Sequence, residues 1–564
     1  MTSIRLSTHF TLALLLGGLA ACSEPEELPP SGVLITLDTT NAGALDVYGP
    51  DRGLTPHLSA LAAESVVYER AHTVAPMTLP SHASMLTGLY PLRHGVRDNG
   101  LMRLSGEART LAEHAQEAGF ETAAFIAAVV LSSPYGLDQG FDVFDEPQVA
   151  VNSPVPTTSE RSSTAITDAA LAWLEGRDRG RPFFLWVHYF DPHHPYEPQE
   201  EFVELAKGNA YHAEVAAMDA DIGRLLGALE AQVGYEDLMI AVVADHGESF
   251  GRHGELTHSA FCYQATIQVP FFLRFPDGRR GGTRTQEVVS VVDLFPTFLE
   301  EMQLGAEEGI DGVTLASGAV APDRGVYVES YSGYLNYGWS QLAGWIDANG
   351  KYLHSSKPEF YGPGDAEEKD NLMGRPGGTD VGPYLDSLER LSRLPRLEPG
   401  GGLSLSAEQR ASLQALGYAA AGDLEHELPD PLDEVDRPAP AERAAQYRKF
   451  TKALGLAQAG RNVPAIRLLQ EVLAENPGNV YALEVLGGAL LAEKRYDESV
   501  EALEALAATG SERYWARACL GTAYEKLGKY DDALLSFEVA KHLRPDEPTI
   551  QQAIERVRAK LGAE

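Results

Sequence analysis

Hydroxyl and imidazole side chains cluster on residues 75–88, which read Ala-Pro-Met-Thr-Leu-Pro-Ser-His-Ala-Ser-Met-Leu-Thr-Gly. Thr78, Ser81 and His82 lie on a Pro-containing turn, and a short helix of small and apolar residues is expected after it. Unpaired N–H groups and the helix dipole favour an anion at a helix N-terminus, so a hydroxyl held there can attack a phosphate or sulfate ester. The segment therefore predicts a nucleophile, with Thr78 and Ser81 as its candidates.

Acids and imidazoles also follow three apolar runs of the kind that form buried parallel strands. The runs cover residues 32–37, 182–190 and 238–244. Ligands of open α/β sheets gather at the carboxyl ends of such strands, so the side chains that follow the runs are expected to converge. These side chains are Asp38; Asp191, His193 and His194; and Asp245 and His246, with His258 further along. His188 lies near the end of the second run, and a purely structural role stays open for His188 and His194.

Such a set of side chains suits metal-assisted ester hydrolysis. Asp38, Asp245 and His246 are predicted to hold a divalent cation that activates the Thr78 hydroxyl, whose own pKa is far too high for attack at neutral pH. The imidazole content favours a zinc-like ion, while calcium, magnesium or manganese, and either one or two ions, stay open. His258 is assigned either as the acid for the leaving group or as a ligand of a second ion.

Two short motifs in the same region resemble the sulfatases of the alkaline phosphatase superfamily. They are Thr78-Leu-Pro-Ser-His82 and the Leu-Thr-Gly-Leu-Tyr-Pro run at 86–91. The resemblance implies an α/β fold over residues 32–420, in which helices sandwich a mostly parallel sheet. Thr78 falls on the nucleophile position, where true sulfatases have a Cys or Ser that is converted to formylglycine. His82 falls on the position of the family's Arg.

Two further segments extend this resemblance. Asp-His-Gly-Glu at 245–248 resembles a metal-binding segment of the family, and Asp-Pro-His-His-Pro-Tyr at 191–196 resembles a substrate loop. The second match implies that His193 contacts the substrate and that Asp191 is a ligand of a second metal. Substrate binding is also assigned to Ser81, His82 and Asn99.

A different architecture is expected after residue 445. Ala465, Ser499 and Ala533 are spaced by 34 residues, which is the tetratricopeptide period. Small residues at these positions let paired helices approach closely. About three repeats with a capping helix are therefore predicted over 446–564, after an acidic, Pro-rich linker at 421–445. The repeats would bind a protein partner or have a purely structural role.

Composition limits the partners of the chain. Its 564 residues carry a formal net charge of -36, which excludes binding to nucleic acid through a broad basic face. The surplus of acids predicts a solvated acidic surface, and Asp219 and Asp221 on the helix expected over 211–232 are assigned to it. Cys262 and Cys519 fall in separate domains, so no disulfide framework is expected.

Residues 1–22 have the form of a secretory signal, in which Arg5 precedes an apolar run that ends in Leu-Ala-Ala-Cys. This ending resembles the lipobox of bacterial lipoproteins, which implies lipidation of Cys22, with residues 23–31 as a tether. The alternative is an ordinary signal peptide cut near Ala21. The lipoprotein hypothesis predicts an extracytoplasmic, membrane-anchored protein, in the periplasm or at the cell surface of a bacterium.

Three functions follow from these expectations. The first is a metal-dependent hydrolase of phosphate mono- or diesters, because phosphodiesterases of the superfamily use a Thr nucleophile. The second is a sulfuric ester hydrolase. The third is a catalytically degenerate, sulfatase-like protein that acts through its repeats as a protein-binding scaffold. Residues 125–130 favour the third, since they lack the Lys and His that many sulfatases direct at the sulfate.

Overall fold

The structure is a computed structural model. It describes residues 28–100, 102–147, 160–375, 379–398, 400, 409, 428–511, 513–543 and 548–562. The predicted signal peptide with Cys22, and most of the predicted tether, lie outside the described residues. Within the described part of the chain, no helix has the length and apolar character needed to cross a membrane.

A large sheet lies at the centre of the amino-terminal region. Its strands are β1 (Ser31–Leu37), β2 (Val66–His72), β3 (Glu121–Phe125), β4 (Val143–Asp145), β5 (Phe183–Tyr189), β6 (Leu238–Ala244), β7 (Phe271–Arg274) and β8 (Thr283–Ser290). They lie in the order β4-β3-β5-β1-β6-β7-β2-β8. β7 is antiparallel to both of its neighbours, and the other pairs are parallel. This confirms the predicted mostly parallel α/β sheet.

Helices cover both faces of this sheet. They are α1 (Pro56–Ala63), α2 (Thr78–Thr87), α3 (Pro91–His94), α4 (Leu111–Glu117), α5 (Ser163–Gly176), α6 (Glu200–Leu205), α7 (Ala210–Gln232), α8 (Gln264–Ile267) and α9 (Leu294–Glu301). α1, α5 and α7 pack together as one layer, while α2, α4 and α9 pack together as another. The central strands β1, β5 and β6 are buried along their whole length. Their continuous apolar sequence fits strands that are covered on both faces.

The acids assigned to a solvated face of α7 are buried instead. Asp219 accepts the backbone N–H groups of His57 (3.1 Å) and Leu58 (2.8 Å) at the start of α1. Asp221 accepts the hydroxyl of Ser163 (2.9 Å) at the start of α5. The solvated-face prediction was wrong here because these carboxylates satisfy N–H and O–H groups at the ends of neighbouring helices.

A second, smaller sheet follows. Its strands are β9 (Val326–Ser330), β10 (Leu342–Asp347), β11 (Gly350–His354) and β12 (Glu359–Tyr361), with helices α10 (Ser332–Tyr337) and α11 (Gly382–Ser392). The strands are antiparallel in the order β12-β11-β10-β9. Glu329 ties β9 to the first region, because its N–H donates to the Val74 carbonyl (2.8 Å) and its carboxylate pairs with Arg97 (2.7 Å). We call both sheets and α1–α11 the sheet domain.

The carboxyl-terminal part is helical, and its helices follow the predicted repeat. They are α12 (Ala444–Gln458), α13 (Asn462–Glu475), α14 (Val480–Ala492), α15 (Tyr496–Ala507), α16 (Tyr514–Lys526), α17 (Tyr530–Leu543) and α18 (Pro548–Leu561). Ala465, Ser499 and Ala533 are fully buried, as expected where paired helices cross. Three helix pairs and a final helix therefore confirm the tetratricopeptide prediction.

The described part of the predicted linker packs against the sheet domain. The Tyr331 hydroxyl donates to the Pro429 carbonyl (2.8 Å), and the Ser340 N–H donates to the Pro438 carbonyl (2.9 Å). Arg396 forms an ion pair with Asp430 (2.6 Å). These contacts fix residues 428–440 to the surface that the repeats also contact.

Candidate active site

The carboxyl ends of β1, β5 and β6 meet at one edge of the large sheet. The parallel register aligns Leu37 with Tyr189 on one side and with Ala244 on the other. Asp38 and Asp245, the next residues of their strands, therefore lie side by side. Thr78, the first residue of α2, adjoins them, since its Oγ1 is 3.4 Å from His246 Nε2. The structure thus brings together the predicted nucleophile and the predicted metal ligands.

The N-terminus of α2 offers fewer N–H groups to an anion than the sequence suggested. The Leu79 N–H donates to Asn99 Oδ1 (2.9 Å), and the Ser81 N–H donates to the Met77 carbonyl (3.3 Å). Pro80 has no N–H. Asn99 therefore holds the start of the helix through its carbonyl oxygen, while its Nδ2 has no hydrogen-bond partner among the described residues.

Asp38, Asp245 and His246 form a buried group with the donors that a divalent cation needs. His246 Nε2 lies 3.7 Å from Asp38 Oδ1 and 3.7 Å from Asp245 Oδ2. Its Nδ1 is 3.1 Å from the Gly247 carbonyl and donates to it, which leaves the Nε2 lone pair free to bind a cation. Within the described part of the chain, both oxygens of Asp38 and Oδ2 of Asp245 lack a hydrogen-bond partner. These orphaned acceptors fit the predicted metal site.

The charges of this group also favour a cation. Burial raises the pKa of Asp38 to about 7 and also raises the pKa of Asp245. Burial opposes protonation of His246, but the carboxylates of Asp245 and Asp38 outweigh it and raise the pKa of that imidazole. A divalent cation would neutralise the negative charge of these two buried carboxylates.

His82 lies on the metal side of Thr78. Its Nδ1 donates to the Thr78 carbonyl (2.8 Å) and is 3.8 Å from Asp245 Oδ2. The ring is fully buried beside Trp186 and His188. The contacts of His82 therefore fit the support of Thr78 and Asp245 better than the predicted contact with substrate.

His188, for which the sequence left a purely structural role open, faces the metal group from strand β5. Its Nε2 is 3.5 Å from Asp38 Oδ2, and its Nδ1 accepts the N–H of Ala127 (3.3 Å). This tautomer places a hydrogen on Nε2, the ring nitrogen that faces Asp38. His188, His82 and Asp245 also lie close enough to form a second ligand group. However, a protonated Nε2 has no lone pair for a metal, and His188 faces Asp38 at 3.5 Å without a hydrogen bond to it among the described residues.

The structure does not bring Asp191 to this group. Its Oδ2 accepts the N–H of Ser163 (2.8 Å) at the start of α5. A carboxylate near the amino end of a helix is stabilised by the unpaired N–H groups there. The geometry therefore gives Asp191 a structural contact in place of the predicted second-metal role.

Ser81 is also engaged elsewhere. Its hydroxyl donates to the Ala75 carbonyl (2.9 Å) and lies 2.8 Å from the Thr73 hydroxyl. It is fully buried in these contacts. Of the two candidate nucleophiles, Thr78 is the one that adjoins the metal ligands.

His193 and His258 lie next to each other, and His258 also adjoins His246. The His246 and His258 ring centroids are 4.3 Å apart, and those of His258 and His193 are 5.4 Å apart. His258 Nδ1 is 3.4 Å from Glu248 Oε1, and burial raises the pKa of Glu248 to about 7. The predicted pair of imidazoles is thus assembled beside the metal group, together with Glu248, which the sequence did not single out.

Comparison with known proteins identifies the families of both parts of the chain. A family model described as Sulfatase matches residues 30–304, and one described as Tetratricopeptide repeat matches residues 456–519. The chain is 25% identical over 404 residues to an ulvan-active sulfatase of Formosa agariphila, an alignment that covers 63% of this chain and 79% of the relative. It is 23% identical over 426 residues to an N-acetylglucosamine-6-O-sulfatase of Bacteroides thetaiotaomicron, an alignment that covers 56% of this chain and 76% of the relative.

A solved structure shares the fold. The phosphonate monoester hydrolase of Agrobacterium radiobacter superposes with a TM-score of 0.53 at 19% identity, covering 64% of this chain and 94% of that chain. At this identity the likeness concerns the fold alone. The family matches show that the chain contains a hydrolase domain of the sulfatase family, followed by tetratricopeptide repeats.

Proposed function

We propose that the protein is a metal-dependent hydrolase of sulfuric esters with Thr78 as its nucleophile. The observation that carries the proposal is the group of Asp38, Asp245 and His246, placed 3.4 Å from the Thr78 hydroxyl. The relatives named above are sulfatases, which favours a sulfate ester over the phosphate ester that the Thr alone suggests.

A divalent cation held by Asp38, Asp245 and His246 would supply positive charge that lowers the pKa of the Thr78 hydroxyl and offsets charge on the ester oxygens. His82 keeps Thr78 in place through the Thr78 carbonyl, and His188 faces Asp38. Burial of the group excludes water, so these charges act in a medium of low dielectric constant.

The reaction then proceeds in two displacements at sulfur. Thr78 Oγ1 releases its proton to solvent and forms a bond to sulfur, while the bond from sulfur to the alcohol oxygen breaks. The leaving oxygen takes a proton from the pair of His258 and Glu248, whose Nδ1 and Oε1 lie 3.4 Å apart. Water next attacks the sulfur of the Thr78 ester. One of its protons restores the Thr78 hydroxyl, the other returns to the pair, and sulfate is released.

Phosphate ester hydrolysis is the second candidate, and Thr78 itself favours it. A Thr lacks the formylglycine group that true sulfatases use at this position, whereas a simple hydroxyl suits attack on phosphorus. The same side chains would then stabilise charge on the equatorial oxygens of phosphorus.

Turnover of matched aryl sulfate, aryl phosphate and aryl phosphodiester substrates tests both candidates. The variants are Thr78→Ala and, as a control on the same helix, Thr87→Ala, whose hydroxyl contacts the Ala83 carbonyl. We expect sulfate turnover that disappears in Thr78→Ala and persists in Thr87→Ala. Dominant phosphoester turnover with the same dependence would favour the second candidate. Absence of turnover of all three esters across zinc, calcium, magnesium and manganese would contradict both and favour a degenerate domain.

We further propose that Cys22 carries a lipid that anchors the protein outside the cytoplasm. The lipobox-like ending at residues 19–22 supports this proposal. Cell fractionation of wild type and Cys22→Ala, with mass spectrometry of the mature amino terminus, would test it. A soluble wild-type protein cut near Ala21 would contradict the anchor.

A further inference from the structure

The first repeats share an apolar core with the sheet domain. Tyr447 of α12 packs against Tyr337 (5.3 Å between ring centroids), Trp339 (5.9 Å) and Phe261 (5.8 Å) of the sheet domain. Phe450, one turn further along α12, lies 5.4 Å from Tyr337. All five rings are buried. An aromatic contact of this kind is an interdomain core rather than a loose tether.

This core adjoins the loop that carries His258. Gly254 has a φ of +87°, and a Cβ at that position would lie 2.9 Å from the Ala444 Cβ and 3.0 Å from the Ala444 carbonyl oxygen. The first residue of α12 is therefore in close contact with residues 249–263. We call these residues the His258 loop.

Ser259, the residue after His258, is held in a strained conformation. Its φ is +97°, in a region that residues with a Cβ avoid and that persists only where neighbouring groups impose it. Two groups hold it. The Ser330 hydroxyl donates to the Ser259 carbonyl (2.5 Å). Tyr447 packs its ring 5.8 Å, between centroids, from the ring of Phe261, two residues after Ser259, and its hydroxyl interacts with the Ser259 side chain. One support thus comes from β9, and the other comes from the repeats.

We propose that Tyr447 is a positioning residue, through which the repeats hold the His258 loop in its active geometry. The importance of His258 for turnover rests on the proposed function, whereas the placement of the loop by Tyr447 does not. The repeats would then act on their own chain. Asp38, Asp245 and His246 follow strands of the large sheet, so their arrangement does not depend on this contact.

The test uses the full chain with Tyr447→Ala and Tyr447→Phe. The Ala variant removes the ring and the hydroxyl, while the Phe variant removes the hydroxyl alone. Tyr530→Ala is the matched control, because Tyr530 packs within the last repeats, where Lys560 Nζ lies 5.3 Å from its ring centroid. The measurements are amide hydrogen exchange of residues 249–263, bound metal per chain, and kcat and KM for the turned-over ester.

We expect exchange in the His258 loop to rise at least 10-fold in Tyr447→Ala and several-fold near Ser259 in Tyr447→Phe. Bound metal should stay within 20% of wild type, and kcat should fall about 10-fold with little change in KM, because protonation of the leaving group is affected. Tyr530→Ala should leave exchange in this loop unchanged.

Unchanged exchange in the His258 loop of Tyr447→Phe and of a metal-loaded Tyr447→Ala would overturn the proposal, as would an equal rise in Tyr530→Ala. Faster exchange in a protein whose wild type turns over no ester would support the placement by Tyr447 while refuting the proposed function. If Tyr447→Ala fails to fold, the result for Tyr447→Phe decides.

Discussion

At the scale of single residues, His188 shows how a buried imidazole can serve a metal site without binding the metal. We expect His188→Leu to weaken metal binding about 10- to 100-fold, because Asp38 loses the neighbouring imidazole whose Nε2 lies 3.5 Å from its Oδ2. Competition with a chelator of known affinity measures this change. His114→Leu, which alters a buried imidazole on α4 beside Phe295, is the control and should bind metal normally. Equal affinity in wild type and His188→Leu would contradict the assignment.

His82 stands where the resemblance places an arginine, and the structure indicates that an arginine does not fit. The ring is fully buried, and its centroid lies 5.4 Å from that of Trp186 and 5.0 Å from that of His188. A longer side chain would overpack this space, and its charge would compete with a cation for Asp245. We expect His82→Arg to lower the free energy of unfolding by about 1–3 kcal/mol and to reduce bound metal. A variant with unchanged urea stability and full metal content would refute this expectation.

The site was predictable as far as strand ends determine it. The metal ligands converge because they follow fully buried parallel strands, Asp38 after β1 and Asp245 and His246 after β6. Such strands can be recognised in a sequence as apolar runs. The contact between Asp191 and Ser163 could not be predicted, because Ser163 is distant in sequence and is brought near only by the packing of α5. The placement of His188 beside Asp38 could not be predicted for a similar reason. Its partner Asp38 lies on the neighbouring strand, and no local pattern marks the pair.

At the scale of elements, the stability of α2 depends on the glycine that ends it. Gly88 ends it with a φ of +68°, and a Cβ there would lie 2.9 Å from Phe295 Cδ1. We expect Gly88→Ala to lower the free energy of unfolding by about 2–4 kcal/mol, the sum of backbone strain and overpacking.

Gly119→Ala separates the two contributions to the Gly88 effect. Gly119 has a φ of +86° but no heavy atom within 4 Å of the added Cβ. Strain alone should therefore cost about 1 kcal/mol at Gly119. Urea unfolding of both variants measures the difference, and equal losses would mean that the contact with Phe295 is easily relieved.

α16 and α18 are joined by an ion pair whose effect depends on pH. Arg556 of α18 binds Glu525 of α16 with two hydrogen bonds (2.9 and 2.8 Å), and Lys560 adds a third (2.9 Å). The hydrogen bond from Arg556 is the main cause that lowers the pKa of Glu525 to about 2, from an ordinary value of 4.5. Because the folded-state pKa is depressed, the stabilisation is complete above pH 4.5 and is lost as the pH falls towards 2.

Glu525→Gln should therefore destabilise α18 by about 1 kcal/mol at pH 7, a value that allows for screening of a pair close to solvent. The difference from wild type should shrink as the pH is lowered from 4.5. Hydrogen exchange of α18 at several pH values measures it. Glu538→Gln, which removes an exposed pair with Arg558, is the control and should change little. A difference that stays constant down to pH 3 would contradict the assigned pKa.

At the scale of the whole molecule, the repeats divide into a part that belongs to the sheet domain and a part that does not. One apolar cluster contains Trp339 and Phe261 of the sheet domain together with Phe450 and Tyr481 of the repeats. Another contains residues of α14–α18 alone. The sequence predicted the repeats through their period but not this attachment, because periodicity reports helix packing within the array and says nothing of its outer partners. A protein partner, if one binds, would have its freest access to the later repeats.

This division predicts the order in which the molecule unfolds. Helices α12 to α14 pack against the sheet domain, and Asn476 at the end of α13 donates to the Tyr337 carbonyl (2.6 Å). Arg513, just before α16, makes one more contact with that domain through Asn336 Oδ1 (2.8 Å). Helices α17 and α18 are stabilised by neighbouring repeats alone within the described contacts, and stability in such arrays is a sum of nearest-neighbour terms. In native-state hydrogen exchange, α17 and α18 should therefore open at lower urea, whereas α12 should exchange only with global unfolding of the sheet domain. Trp339→Ala, which removes a ring from the shared core, should make α12 open with α17 and α18. If α12 already exchanges with them in wild type, the apolar contact does not couple the two domains, and the repeats would be an independent module.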